Sequence, residues 1–501
     1  MPAVSLPDNP SLEYLRKQAR ALQRAVRKGE PEALRRAAGQ RVDVPGDPVT
    51  FALHGAQLVV ARECGFSSWP RLRRHLEVVA EHRWDAGEPP AGEGGSVADD
   101  FCRLACLTYA DDGPARWRRA RELLAEQPTL TRDSIWAAAA AVDADAVRRR
   151  LATDPAAARH RGGPYRWRPL FYLAYSRLDP AVPLHDVLDT ARLLLRDGAD
   201  PDEGYLWNGL PTPFTLLTGA FGEGEQGPGR QPRHPHSLPL ARLLLEAGAN
   251  PNDGQALYNR MFRPDDDHLR LLFEFGLGTG DGGVWKRRLG EALDSPAGMV
   301  RGQLAWAIDH HFLDRVRLLV RHGVDLATPL HDGRTPTERA RLSANRDIVD
   351  FLVAHGSPAP APDPVDDFIG AAMTADRDAI SALVTVHPDV AERARRRRPG
   401  LIVWAAANGR REAVRLLAEL GFDVNALGRA DTPGETPWET GLHHAAASGD
   451  LELARSLLAL GADPNVSDAR FASTPLGWAR HFEQPAMVEL LEPVTDEEAS
   501  G

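Results

Sequence analysis

Few side chains in this sequence stand at spacings that chemistry requires. Cys102 and Cys106 are four apart and would share one helix face, but no further ligand stands nearby at metal-binding spacing. Two small buried side chains are the expectation. His234-Pro-His236, His310-His311 and His443-His444 are fragments of ligand patterns; the first lies in a Gly-, Pro- and Arg-rich stretch, 222–237, that reads as a mobile surface loop. Arg395, Arg396, Arg397 and Arg398 form a run that could grip a phosphate or an acidic partner, although such a run beside Pro399 is more often a solvated edge. The sequence lacks G-x-x-x-x-G-K, H-E-x-x-H, close pairs of C-x-x-C and G-x-S-x-G, so a phosphate cradle, zinc helix or nucleophile elbow has no support. The reading is no catalytic residue, no cofactor and no metal.

Composition narrows the classes further. The chain has 501 residues, 43% hydrophobic and 26% charged, with a net charge of −10, which argues against general nucleic-acid binding. The charge is uneven: residues 1–84 carry +5 and the remainder −15. Three cysteines (Cys64 is the third) are too few for a disulfide framework and fit a reducing cytoplasm. No stretch approaches the roughly 20 apolar residues of a membrane span, and no basic stretch followed by an apolar run opens the sequence. A cytoplasmic, monomeric protein is expected.

The elements that must position any site recur along the chain. Gly461-Ala-Asp-Pro-Asn465 matches Gly198-Ala-Asp-Pro-Asp202, Gly248-Ala-Asn-Pro-Asn252, Gly421-Phe-Asp-Val-Asn425 and, more loosely, Gly323-Val-Asp-Leu-Ala327. Each follows an apolar helical run. The glycine takes the left-handed cap without steric cost, and Asp-Pro or Asn-Pro opens a turn. The other half of the unit is Thr440-Gly-Leu-His-His-Ala-Ala-Ala-Ser-Gly449, aligned with Gly400-Leu-Ile-Val-Trp-Ala-Ala-Ala-Asn-Gly409. Thr335-Pro-Thr-Glu-Arg-Ala340 and Thr474-Pro-Leu-Gly-Trp-Ala479 begin alike, with Thr as N-cap and Pro in the first turn.

This pattern resembles the ankyrin repeat, and residues 440–465 carry most of it. Ankyrin units run to about 33 residues; here Gly323 to Gly356 is 33, Gly421 to Gly461 is 40 and Gly198 to Gly248 is 50, so insertions are expected. Weaker units fit 99–127, 135–154 and 365–398, while 253–327 is hardest to parse. The expected architecture is all-α, an ankyrin-repeat solenoid of stacked helix pairs with a small N-terminal helical domain. Its segments are a helical unit at 1–84, a flexible linker at 85–97, about ten or eleven units, several degenerate, over 98–493, and a tail at 494–501. In the ankyrin reading His443 serves its turn network, and Trp404 and Trp478 are buried wedges.

Ahead of the repeats, Asn9-Pro10 reads as the start of a helix with Leu12, Leu15, Ala19, Leu22 and Val26 on one face. Residues 57–72 resemble a unit placed ahead of bacterial ankyrin arrays. They also imitate a helix-turn-helix, with Gly65 in the turn and Arg71, Arg73 and Arg74 on the second helix; Trp69 and Pro70 stand where base edges would be met. A capping role for residues 1–84 is the alternative, because a first repeat otherwise exposes its apolar side.

The resemblance implies a non-catalytic scaffold that recognises a protein partner through turn tips and first helices. The candidate tip residues are His331, Asp332, Arg334, Arg429, Asp431, Glu435, Asp468, Arg470 and Phe471. One rival is a transcription regulator whose N-terminal unit binds DNA. The other is an enzyme with a site in 253–300, which a deep polar pocket lined by clustered carboxylates or histidines would support.

Overall fold

The computed structural model describes residues 11–85, 96–431 and 436–496. Its contacts divide the chain into two compact units, Met1–Val300 and Arg301–Gly501.

In the first unit, helices Leu12–Arg27, Pro31–Gly39, Leu53–Glu63 and Trp69–His82 form a small bundle. Ser11 caps the first helix, accepting from the Tyr14 N–H; Asn9 and Pro10 lie outside the described residues. The expected stripe is buried, with Leu15, Ala19, Leu22 and Val26 against Ala56, Val59, Val60 and Leu72. Gly65 makes the turn at φ 84°, a conformation that a Cβ disfavours.

Five helix pairs follow among the described residues: Val97–Ala105 with Pro114–Glu126, Ile135–Ala140 with Ala144–Thr153, Pro169–Tyr175 with Leu184–Arg196, Leu216–Phe221 with Ser237–Glu246, and Gly254–Met261 with Asp267–Glu274. Ala137 to Ala140 are buried, and side chains this small let neighbouring helices approach closely. Cys102 and Cys106 are buried in this stack, as expected.

The otherwise helical fold contains one feature that helical periodicity does not predict. Arg83–Trp84 pairs in parallel with Gly204–Trp207, which pairs antiparallel with Pro213–Thr215. Trp84 is 3% exposed and meets Tyr165, Trp167, Tyr175 and Phe214 edge-on. Residues 11–84 are thereby built into the same compact unit as the pairs that follow.

Residues 222–237, expected as a mobile surface loop, are packed at both ends, while most of 225–230 stands exposed. The fully buried Arg177 guanidinium donates to the carbonyls of Pro232 and Gly219 at 2.7 and 2.6 Å, and His234 is 2% exposed. A buried guanidinium needs acceptors, and the loop supplies one of them, the Pro232 carbonyl.

In the second unit the helix Leu313–Arg321 precedes five pairs: Pro336–Leu342 with Arg346–Ala354, Pro364–Met373 with Arg377–Val386, Leu401–Ala407 with Arg411–Glu419, Gly441–Ser448 with Leu451–Ala459, and Pro475–His481 with Pro485–Leu491. Thr335 and Thr440 close capping boxes, and Thr474 accepts from the Gly477 N–H. The pair at 364–386 carries a third helix, Val390–Arg397, and shares one core with the pairs that follow it. Past it, the Trp404 indole donates to the Ser343 carbonyl at 3.3 Å and Arg410 donates to Asn345 Oδ1 at 2.7 Å.

Candidate functional site

The turn tips are built by their own backbone. At the first, the Leu330 N–H donates to the Arg334 carbonyl at 2.6 Å, and Gly333 takes φ 80°. Asp332 accepts from the Arg334 N–H at 3.1 Å and from Arg339, whose guanidinium also holds buried Asp309. His331 and Arg334 stand exposed, while Asp332 is half-buried and ties the tip to its helix.

At the second tip the Gly428 N–H donates to the Glu439 carbonyl at 2.7 Å, and the Trp438 N–H donates back to Gly428 at 2.9 Å. Arg429 Nε donates to Asp431 at 2.7 Å. Glu435 lies outside the described residues. Glu439 is 3% exposed, and burial pushes its carboxyl up to about 7 against the pull of the Ala430 N–H.

The third tip differs from expectation at one residue. Asp468 is buried, not exposed, because its carboxylate is a structural acceptor. It takes the N–H groups of Arg470 at 2.8 Å, Phe471 at 2.5 Å and Ser473 at 3.1 Å, and the Trp478 indole at 3.0 Å. Burial opposes its charge, yet these donors hold it below the usual carboxylate range. Asp468 therefore leaves the exposed set and shapes the tip.

What it presents is aromatic. Phe471 is 63% exposed and meets Trp438 edge-on at 5.8 Å, while Trp438 lies 5.1 Å from Trp478. The Arg470 guanidinium sits over both the Trp438 ring at 5.6 Å and the Phe471 ring at 5.2 Å. Phe482, 48% exposed, continues the row beside Trp478. The Ala469 N–H donates to the Trp438 carbonyl at 2.8 Å, joining the second and third tips. Arg470 and Phe471 are legible as tip residues; Trp438 and Phe482 are not, and their signals are Pro437-Trp438 two residues before the Thr440 cap and Phe482 at the end of the next helix.

The other sequence candidates have structural employment. His443 is buried; its Nδ1 lies 2.8 Å from Thr440 Oγ1 and its Nε2 2.9 Å from the Ser473 carbonyl, bridging to the next repeat. Trp404 and Trp478 are buried wedges. The arginine run is dispersed over neighbours: Arg395 donates to the Leu420 carbonyl at 2.8 Å and Arg396 pairs with Glu392 at 3.1 Å. Arg397 pairs with Asp363 at 2.6 Å, and buried Arg398 donates to the Leu342 carbonyl at 2.6 Å.

Within and beside 253–300 the carboxylates Glu223, Asp265 and Asp267 are held by arginines. Arg233 holds Glu223 at 2.6 Å, Asp267 at 2.7 Å and also Asp265, and buried Arg260 holds Asp267 at 3.0 Å. Among the described residues no group of three or more His, Cys, Asp or Glu could hold a metal ion. A crevice of about 340 Å³ is lined mostly by Leu124, Ala125, Val142, Leu178 and Val182, with His234 at its wall.

The helix-turn-helix imitation is partly covered. Leu72 and Leu76 pack into the bundle, Val79 packs with Leu206, Trp285 and Leu289, and Arg71 pairs with Glu291. Arg73 pairs with Glu77 at 3.4 Å.

Helix pairs with left-handed glycine ends and Thr caps, stacked in sequence, define a helical-repeat solenoid. Residues 368–468 match the family of ankyrin repeats in three copies, the stretch in which the structure places three helix pairs. That stretch is a run of ankyrin repeats. Such repeats are a protein–protein interaction module, and the family is typically non-catalytic. No helix among the described residues is long and apolar enough to cross a membrane.

Proposed function

We propose that the chain is a non-catalytic, cytoplasmic scaffold that captures a protein partner on the tips and first helices of its repeats, with residues 1–84 as a cap and 85–97 as a linker. The row Phe471, Arg470, Trp438 and Phe482 carries this reading. Trp, Tyr and Arg dominate the energetics of protein interfaces, and a solvated Phe beside a stacked guanidinium has no role in the fold's own core. Asp468 fixes the backbone beneath it, so little conformational freedom is lost on binding. His331, Arg334 and Asp431 are the exposed polar companions on neighbouring tips.

The test is a titration of a partner identified by affinity capture. Replacing Phe471 and Arg470 together by Ala should weaken that partner at least about tenfold, equivalent to about 1.4 kcal/mol, while circular dichroism and thermal midpoint hold. Unchanged affinity in the folded variant overturns the reading. No observation favours duplex DNA as the partner of the helix Trp69–His82.

A further inference from the structure

The helix Leu12–Arg27 has two sides of opposite character. Leu15, Ala19, Leu22 and Val26 are buried. At about 100° per residue, Arg16, Lys17, Arg20, Arg24, Arg27 and Lys28 fall within an arc of about 120° on the other side, along about 18 Å of helix. All six are exposed. Glu13 is the one acid on that arc and pairs with Lys17 at 3.0 Å; Arg27 donates to the Phe51 carbonyl at 3.0 Å. Among the described residues Arg16, Arg20, Arg24 and Lys28 have no ion pair and no side-chain hydrogen bond.

Several cations on other helices are paired within their own helix. Arg119, Arg148, Arg192, Arg317, Arg396 and Arg415 each pair with an acid three or four residues away. Like charges four apart weaken a helix, and the first helix repeats that repulsion at 16–20, 20–24 and 24–28. Neutralisation from outside would relieve it.

We infer that this face docks an acidic segment of a partner protein, a surface separate from the aromatic tips. Charge complementarity selects the partner's sign, and the molecule selects its size. Residues beyond 84 carry −15, so an extended polyanion such as a duplex or an anionic bilayer meets repulsion away from the row. The helix's apolar side is committed to the bundle and cannot insert into lipid. Tyr14, the exposed aromatic of this helix, falls off the arc, so unpaired bases find no stacking platform. An acidic helix with carboxylates every fourth residue repeats at about 6 Å, the pitch of the basic row.

The test uses the full chain and a fluorescent oligoglutamate peptide in low salt, read by anisotropy. Arg16→Gln/Arg20→Gln/Arg24→Gln should raise its Kd at least about tenfold. Removal of equal charge by Arg71→Gln/Arg73→Gln/Arg74→Gln should change it less than about twofold. Binding should fade toward about 0.15 M ionic strength, and the row variant should keep or raise its thermal midpoint as repulsion is relieved. No peptide binding by the unmodified chain, no loss in the row variant, or equal loss in both variants overturns the assignment. Tighter row-dependent binding of duplex DNA or phosphatidylserine vesicles overturns it in favour of those surfaces. Row-dependent dimerisation without peptide overturns it in favour of a second copy.

Discussion

Glu203 lies 4% exposed, its Oε1 accepting from the Tyr205 hydroxyl at 2.7 Å with Arg168 3.5 Å away. Burial pushes its carboxyl up to about 7 despite that hydrogen bond. A carboxyl raised on folding contributes stability that is complete below its ordinary range and is lost as pH rises through the folded value. Between pH 5 and pH 8 the urea midpoint of Glu203→Gln should therefore rise relative to that of the parent, since Gln keeps the acceptor without the charge. Parallel pH profiles would remove Glu203 from this account. The buried imidazoles act oppositely: burial lowers His75, His82 and His443, so their contribution is lost as pH falls below the ordinary histidine range. The comparison of the two proteins at each pH isolates Glu203 from them.

Between elements, the ends of the Gly-Ala-Asp-Pro-Asn turns act as clasps. Asn425 Oδ1 accepts from the Asp463 N–H at 2.8 Å while its amide donates to the Gly461 carbonyl at 3.3 Å, and Asn465 Oδ1 accepts from the Asp496 N–H at 2.8 Å. Asp202 reaches the Asn250 N–H at 3.1 Å and Asn252 reaches the Gly278 N–H at 2.8 Å. Asn425→Ala should cost about 1–2 kcal/mol and speed amide exchange from residue 441 onward more than in 336–419. Uniform exchange across both stretches would contradict the clasp.

The same clasp explains what the sequence shows and hides. Repeats with Gly, Asp and Asn at the turn are legible because a left-handed cap and a side-chain acceptor both need particular residues. Residues 253–278 hold a further two helices, Gly254–Met261 and Asp267–Glu274, yet their turn reads Gly276-Leu-Gly-Thr279. There the receiving group is the backbone N–H of Gly278, which any residue but proline supplies, so no motif marks it. The packed ends of 222–237 are hidden for a related reason: Gly, Pro and Arg promise mobility only until a buried guanidinium, Arg177, takes the Pro232 carbonyl as an acceptor. The tip residues were half legible. Position relative to the Thr cap reveals Arg470 and Phe471, but an Asp at a tip looks the same whether it faces solvent or, like Asp468, turns inward to collect N–H groups.

At the scale of the whole chain, pairing of residues 83–84 with 206–207 and burial of Trp84 join the N-terminal bundle to the first five helix pairs. Such long-range contacts leave no local periodicity to read, which is why those residues look separable in sequence. The family match covers 368–468, and the helix pairs continue on both sides of it with weaker motifs. Interaction through the tips remains the claim on which the functional account stands, and its most direct measurement is hydrogen exchange on the complex with a captured partner. Protection concentrated in 426–444 and 466–482, around Trp438, Arg470, Phe471 and Phe482, is the predicted result. Protection confined to the second helices Arg411–Glu419 and Leu451–Ala459, with the tips exchanging as in the free protein, would contradict it.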